Sequence, residues 1–188
     1  MFSRKKGEYG YIKKAKKQDI IKMLIYVAIA LLIFFVGLLM NKMSYTNVFT
    51  VVAILFVLPW ARVLVEYIVL FTYHTPEKED YDKVVAAVSP EAKVISDYVF
   101  TSTERSMGLN FLVVGNGYAY GWIMNDKQDV KGIQTYLQKG VSNWSDQYQV
   151  KIYTRLEELL KVVSHAKEKE IPDQEREKVE SYLLSLAV

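Results

Sequence analysis

Residues 23–40 read MLIYVAIALLIFFVGLLM, eighteen consecutive side chains without a charge. Wound as an α-helix they extend about 27 Å, close to the roughly 30 Å hydrocarbon core of a bilayer. Ile20 and Ile21, beyond Lys22, close the difference, because a lysine at the interface carries its ammonium to water along an apolar stem. The alternative is a helix buried on every side of a soluble fold. A chain of 188 residues could hardly bury two such helices, and a second run follows at once. For the same reason 23–40 reads as a signal-anchor and not a cleaved signal: the preceding region is long and no small-residue cleavage pattern follows.

The second run, 48–71, reads VFTVVAILFVLPWARVLVEYIVLF. Pro59 removes one helical hydrogen bond and predicts a kink. Arg62 and Glu66 are four residues apart, so they share a helix face and can pair. A charge at the bilayer centre costs about 2.5–3.5 kcal/mol on insertion scales. Spans of about 20–40 and 45–68 keep both groups near one interface, with Trp60 and Tyr67 as belt aromatics. This polar pair either lines a path in an oligomer or snorkels as an ion pair to the inner interface.

Charge sets the orientation. Residues 1–22 carry eight basic and two acidic side chains, a net +6, whereas the connecting tip 41–47 carries only Lys42. The positive-inside rule puts the N-terminus in the cytoplasm, and two spans return the rest of the chain to the same side. The expected organisation is a basic cytoplasmic tail (1–22), a transmembrane hairpin (23–71) and a cytosolic domain (72–188). The expected location is the inner, cytoplasmic membrane of a cell. Within the tail, Lys13, Lys14, Lys16 and Lys17 could lie on an interfacial helix that grips anionic lipid; a solvated topogenic tail is the competing reading. Gly7 and Gly10 suggest a loose start.

Residues 72–188 suffice for one small domain. They hold 14 basic and 18 acidic residues, which argues against nucleic acid as a partner. The absence of cysteine excludes disulfides, thiolate metal sites and a cysteine nucleophile. Thr75-Pro76-Glu77 has the form of a helix start, with Thr75 as cap and the helix running to Val88. Strands follow at 93–101 and across 109–124, where Asn116-Gly117 is a hairpin turn. As a type I′ turn it sets Val113 opposite Tyr120 and Phe111 opposite Trp122. One hairpin face then carries Phe111, Val113, Tyr118, Tyr120 and Trp122, and the other Leu112, Val114, Ala119 and Ile123. Both are apolar, so both call for cover. Left open, the face bearing Phe111, Tyr118, Tyr120 and Trp122 would bind a partner. A helix from Asp129 to Val141, a strand at 148–154 and helices at 155–170 and 173–186 complete a small α+β domain, a mixed four-stranded sheet with helices on its faces.

Chemistry is sparse. His74 and His165 lack the second histidine or spaced carboxylates of a metal site, so no metal or cofactor is expected. Gly115, Gly117 and Gly121 fit neither the dinucleotide fingerprint nor the P-loop. A site in the polar loop 103–106 would be of an unrecognised kind. The element order of 77–154 resembles the core of the restriction-endonuclease-like fold. That family needs an acid on the second strand and an acid-x-Lys on the third. The third strand here, from Tyr118 to Ile123, has neither, and Asp97 and Lys127 are only the nearest substitutes. The resemblance therefore implies a catalytically dead relative. As a whole, with its lysine-rich start and the Leu58-Pro59-Trp60-Ala61-Arg62 turn, the chain is similar to small bacterial two-span membrane proteins with a cytosolic α+β domain. The function expected is that of an anchored, non-enzymatic domain that binds or regulates a protein partner. A subunit of a homo-oligomeric transporter or channel that uses the polar second span is one alternative, and an enzyme with an unrecognised or degenerate nuclease-like site is another.

Overall fold

The computed structural model describes residues 5–102, 105–124 and 127–188, which form two compact units. The first comprises the N-terminal twelve residues and Tyr73–Val188; the second is Lys13–Thr72.

The second unit is a helical hairpin. Helix α1 runs unbroken over Tyr11–Met40, its first two residues belonging to the first unit. Its end is a Schellman turn: Lys42 takes a left-handed φ of 49° and the Met43 N–H donates to Leu38 O at 2.8 Å. Asn47 then caps α2 (Val48–Leu55), its side chain accepting from the Thr50 N–H at 3.0 Å. The backbone of Gly37 is packed by Phe49, so that any Cβ there would collide with the phenylalanine. The helix breaks at Phe56 and resumes as α3 (Val57–Phe71). Phe56 lies three residues before Pro59, whose ring disturbs the turn that precedes it and whose missing N–H leaves a carbonyl there without its helical donor. Lys16 Nζ donates to Phe71 O at 3.0 Å, a cation on the carbonyl end of α3.

The first unit is a three-layer α+β domain built on a four-stranded mixed sheet, order β1-β2-β3-β4. Strands β1 (Lys93–Thr101), β2 (Ser106–Gly115) and β3 (Tyr118–Trp122) form an antiparallel meander. Helix α5 (Val130–Ser142) then crosses over to β4 (Gln149–Tyr153), parallel to β3. Phe111 faces Trp122 and Val113 faces Tyr120, so the two-residue turn at Asn116-Gly117 sets the register expected of it. Its type differs. Gly117 has φ +89° while Asn116 is not left-handed, the type II pattern in place of type I′.

Both sheet faces are covered. On one, Phe111, Val113, Tyr118 and Trp122 pack with Val84 of α4 (Lys78–Ala87) and with Leu159 and Val163 of α6 (Leu156–Val163). On the other, Leu112, Val114, Ala119 and Ile123 pack with Ile133, Leu137 and Val141 of α5 and with Val179 and Leu183 of α7 (Asp173–Leu186). The Tyr98 hydroxyl, in the heart of that layer, is satisfied by Leu183 O at 2.6 Å.

The edges are covered as well. Along β4, the outward N–H of Val150 donates to Gln138 Oε1 at 2.7 Å, Gln138 Nε2 returns a bond to Tyr148 O at 3.0 Å, and Ile152 N–H reaches Gln134 Oε1 at 3.3 Å. Two glutamines one turn apart on α5 thus stand in for a missing strand. Along β1, Ser96 N–H donates to Gly7 O at 2.9 Å and Val188 N–H to Val99 O at 2.8 Å.

Three expectations need correction. Residues 5–12 are not a loose start but a strap on the edge of β1, grouped with the α+β domain. Thr75 does not cap α4; Glu77 takes the N-cap position and the Thr75 hydroxyl turns to Asp97. The helix expected to reach Glu170 stops at Val163. Beyond it Ala-Lys-Glu-Lys-Glu offers no apolar stripe, and the chain extends so that Lys169 N–H bonds Asn116 O at 3.0 Å.

Candidate functional site

Two polar constellations stand out in the domain. The first is built around Asp97, an acid in the middle of a strand otherwise rich in β-branched and aromatic residues. Its side chain is only 2% exposed and its backbone is left-handed, φ +53°, which a non-glycine residue adopts at a cost. Oδ2 accepts from the Ile12 N–H at 3.1 Å and from the Thr75 hydroxyl at 2.8 Å. Ile12 is the second residue of α1, so the carboxylate serves a free N–H of that helix's first turn from a distant part of the chain. Tyr9 Oη donates to Pro76 O at 2.9 Å, its ring packs on Tyr81 at a centroid distance of 4.7 Å, and Tyr11 Oη donates to Val188 O at 2.7 Å. Burial pushes the Asp97 carboxyl above its ordinary pKa; the Thr75 hydroxyl and the N–H groups of residues 10–12 oppose the shift. The arrangement gathers the strap before the hairpin and the segment after it at one buried acid.

The second constellation lines an open cleft of about 570 Å³ formed by Glu91, Asn116 and residues 168–172. Asn116 Nδ2 lies 3.2 Å from Glu168 Oε2 and 3.4 Å from Glu91 Oε2, and the Ser89 hydroxyl donates to Glu168 Oε1. A hydrogen bond to Glu168 and its charge hold Glu91 above the usual range, while the Ser89 hydroxyl holds Glu168 below it. Such a pair keeps one proton to higher pH than an isolated glutamate would. Among the described residues no group of three or more His, Asp or Glu side chains is arranged to hold a metal ion.

A second groove, of about 480 Å³, runs between Trp144 and α7, lined by Tyr182 and by Gln174, Glu177, Lys178, Ser181 and Ser185. The Trp144 indole is 46% exposed.

The residues singled out by sequence fall as follows. Phe111, Tyr118 and Trp122 are buried beneath α4 and α6, and Tyr120 is half-buried beside Tyr153. Most of the aromatic face is therefore core, with Tyr120 its half-buried member. Arg62 and Glu66 pair on α3 with Nε···Oε1 at 3.8 Å, and the Arg62 side chain is 85% exposed. Lys13, Lys14 and Lys17 are exposed on the first turns of α1, whereas Lys16 is turned to Phe71. The His74 carbonyl accepts from Asn110 Nδ2 at 3.4 Å, and His165 Nδ1 closes its own helix end on Lys161 O at 2.9 Å. Of the polar loop 103–106, Thr103 and Glu104 lie outside the described residues, as do Asn125 and Asp126; Arg105 pairs with Asp129 at 2.8 Å.

Sequence reasoning passed over Glu91 and Glu168, 77 positions apart, because no local pattern joins them. Asp97 did leave a signal. An acid inside an apolar strand must be either exposed or partnered, and both neighbouring faces were already apolar.

The fold and its polar sites define a two-part chain, a helical hairpin joined to a mixed-sheet α+β domain. Comparison with protein-family models, curated proteins and solved structures finds no match to any of the three.

Proposed function

We propose that the hairpin spans the inner, cytoplasmic membrane of a bacterial cell, both termini on the cytoplasmic side, and that the α+β domain works there as a non-enzymatic module that binds or regulates a protein partner. The observation that carries the reading is the surface of the hairpin. Leu24, Leu32, Leu39, Val48, Ile54, Leu58 and Val65 are all exposed along its length, an apolar surface that a soluble protein does not leave open. Both α1 and the paired α2–α3 segment are long and apolar enough to cross a bilayer. The lysine-rich start of α1 supports the orientation.

The binding role is tested by photo-crosslinking in cells from positions spread over the domain surface, with purification under denaturing conditions. One discrete adduct with another protein, arising from a cluster of neighbouring positions, is expected. Absence of any discrete adduct from every position would refute the role.

The exposed Arg62 favours a second reading, a subunit of an oligomeric channel or transporter in which the Arg62–Glu66 pair faces other copies. Replacing both residues by leucine should then abolish assembly and flux; unchanged assembly removes this reading.

A further inference from the structure

Of the four lysines in the first two turns of α1, three share one exposed face. At about 100° per residue, Lys13, Lys14, Lys17, Ile20, Ile21 and Leu24 form a single stripe, and all six are exposed. Ile12, Ala15 and Asp19 form the opposite, buried face. Lys16 lies toward the buried side, its ammonium on Phe71 O and 5.7 Å from the centre of the Phe71 ring. The stripe thus changes from ammonium to hydrocarbon between Lys17 and Ile20, a rise of about 4.5 Å. A surface that is cationic below one level and apolar above it matches one environment, a bilayer whose headgroups are anionic.

We infer that Lys13, Lys14 and Lys17 form a binding site for the phosphate of an anionic lipid headgroup, with Ile20, Ile21 and Leu24 against its acyl chains, and that Lys16 takes no part in it. The inference rests on the proposed membrane anchorage and adds the chemistry of the lipid beside α1. Three ammonium groups at i, i+1 and i+4 converge on one side of the helix without an acidic residue among them. Electrostatic attraction at the headgroup level is worth about a fivefold preference for each such lysine, and it weakens as salt rises.

The test uses the full-length chain reconstituted in mixed phosphatidylcholine–phosphatidylglycerol vesicles, with either lipid spin-labelled in turn. Electron paramagnetic resonance then reads the fraction immobilised at the protein. The wild-type chain should enrich labelled phosphatidylglycerol about fivefold or more over phosphatidylcholine, and the preference should fall with added salt. The triple variant K13Q/K14Q/K17Q should lose it, the charge-preserving K13R/K14R/K17R should keep it, and K16Q should keep it. Equal immobilisation of both lipids by the wild-type chain overturns the inference, as does a K16Q variant as impaired as the triple variant. Resistance to alkaline extraction is measured on the same vesicles. A wild-type chain that washes off the membrane refutes the anchorage itself, whereas one that stays but shows no preference refutes only the lipid site.

Discussion

Replacing Asp97 separates its two burdens, capping and backbone strain. Alanine removes the acceptor of the Ile12 N–H, at about 1 kcal/mol for a helix cap, and of the Thr75 hydroxyl, at about 1 kcal/mol more. Left-handed backbone adds about 1 kcal/mol for a residue with a Cβ and no polar side chain to offset it. The sum is about 3 kcal/mol. Glycine suffers the same lost bonds without the strain, about 2 kcal/mol, and asparagine keeps an oxygen and tolerates the left-handed conformation, about 1 kcal/mol or less. The expected order of stability is wild type, Asn, Gly, Ala. At about 3–4 °C per kcal/mol the alanine variant melts roughly 10 °C lower. Detergent-solubilised protein, followed through the buried Trp122, provides the assay. The pH dependence has a definite sign. A carboxyl whose folded pKa is raised binds its proton more tightly in the native state. Its contribution is therefore complete below the ordinary carboxylate range and declines as the pH rises through the raised value. Asparagine cannot ionise, so its deficit against wild type should be greatest in acid and narrow as the pH is raised. An alanine variant as stable as wild type, or more stable than glycine, would refute this role for Asp97.

Three further outcomes follow from the packing. Phe111→Ala should cost about 3–5 kcal/mol in thermal unfolding, because the ring is fully buried and stacked on Trp122 at 5.4 Å; a surface role would leave the melting point unchanged. Gln138→Ala strips Val150 N–H and Tyr148 O of their partners on the edge of β4. A loss of about 1–3 kcal/mol and new self-association are expected, read by unfolding and by light scattering. Glu168→Ala removes both the hydrogen-bonding partner and the charge that hold Glu91 up, so NMR titration of the Glu91 carboxyl should move down toward its ordinary value.

Much of this fold was legible in the sequence wherever one local signal was strong. The register of β2 on β3 follows from a two-residue Asn-Gly turn and from alternation on both sides of it, and both sheet faces were marked as apolar. The hairpin followed from two long apolar runs and the break near Phe56 from Pro59. What escaped depends on groups distant along the chain. Residues 5–12 look like a polar tail until the backbone edge of β1 supplies them with partners, and Thr75 looks like a cap until Asp97 competes for its hydroxyl. The aromatic hairpin face was ambiguous for the same reason: whether α4 and α6 close over it is a tertiary fact. Glu91 and Glu168 meet only because α6 ends early and the following segment folds back to the β2–β3 turn.

The central claim is that the hairpin crosses a bilayer with its tip on one side and the domain on the other. The chain contains no cysteine, so single cysteines report cleanly. Ser44→Cys at the tip and Ser185→Cys on α7 are both exposed positions. With a membrane-impermeant maleimide added to intact cells whose outer layers are permeable to it, Ser44→Cys should react and Ser185→Cys should react only after the inner membrane is opened. Reaction of both from the same side, or release of the chain by alkaline extraction, would contradict the account.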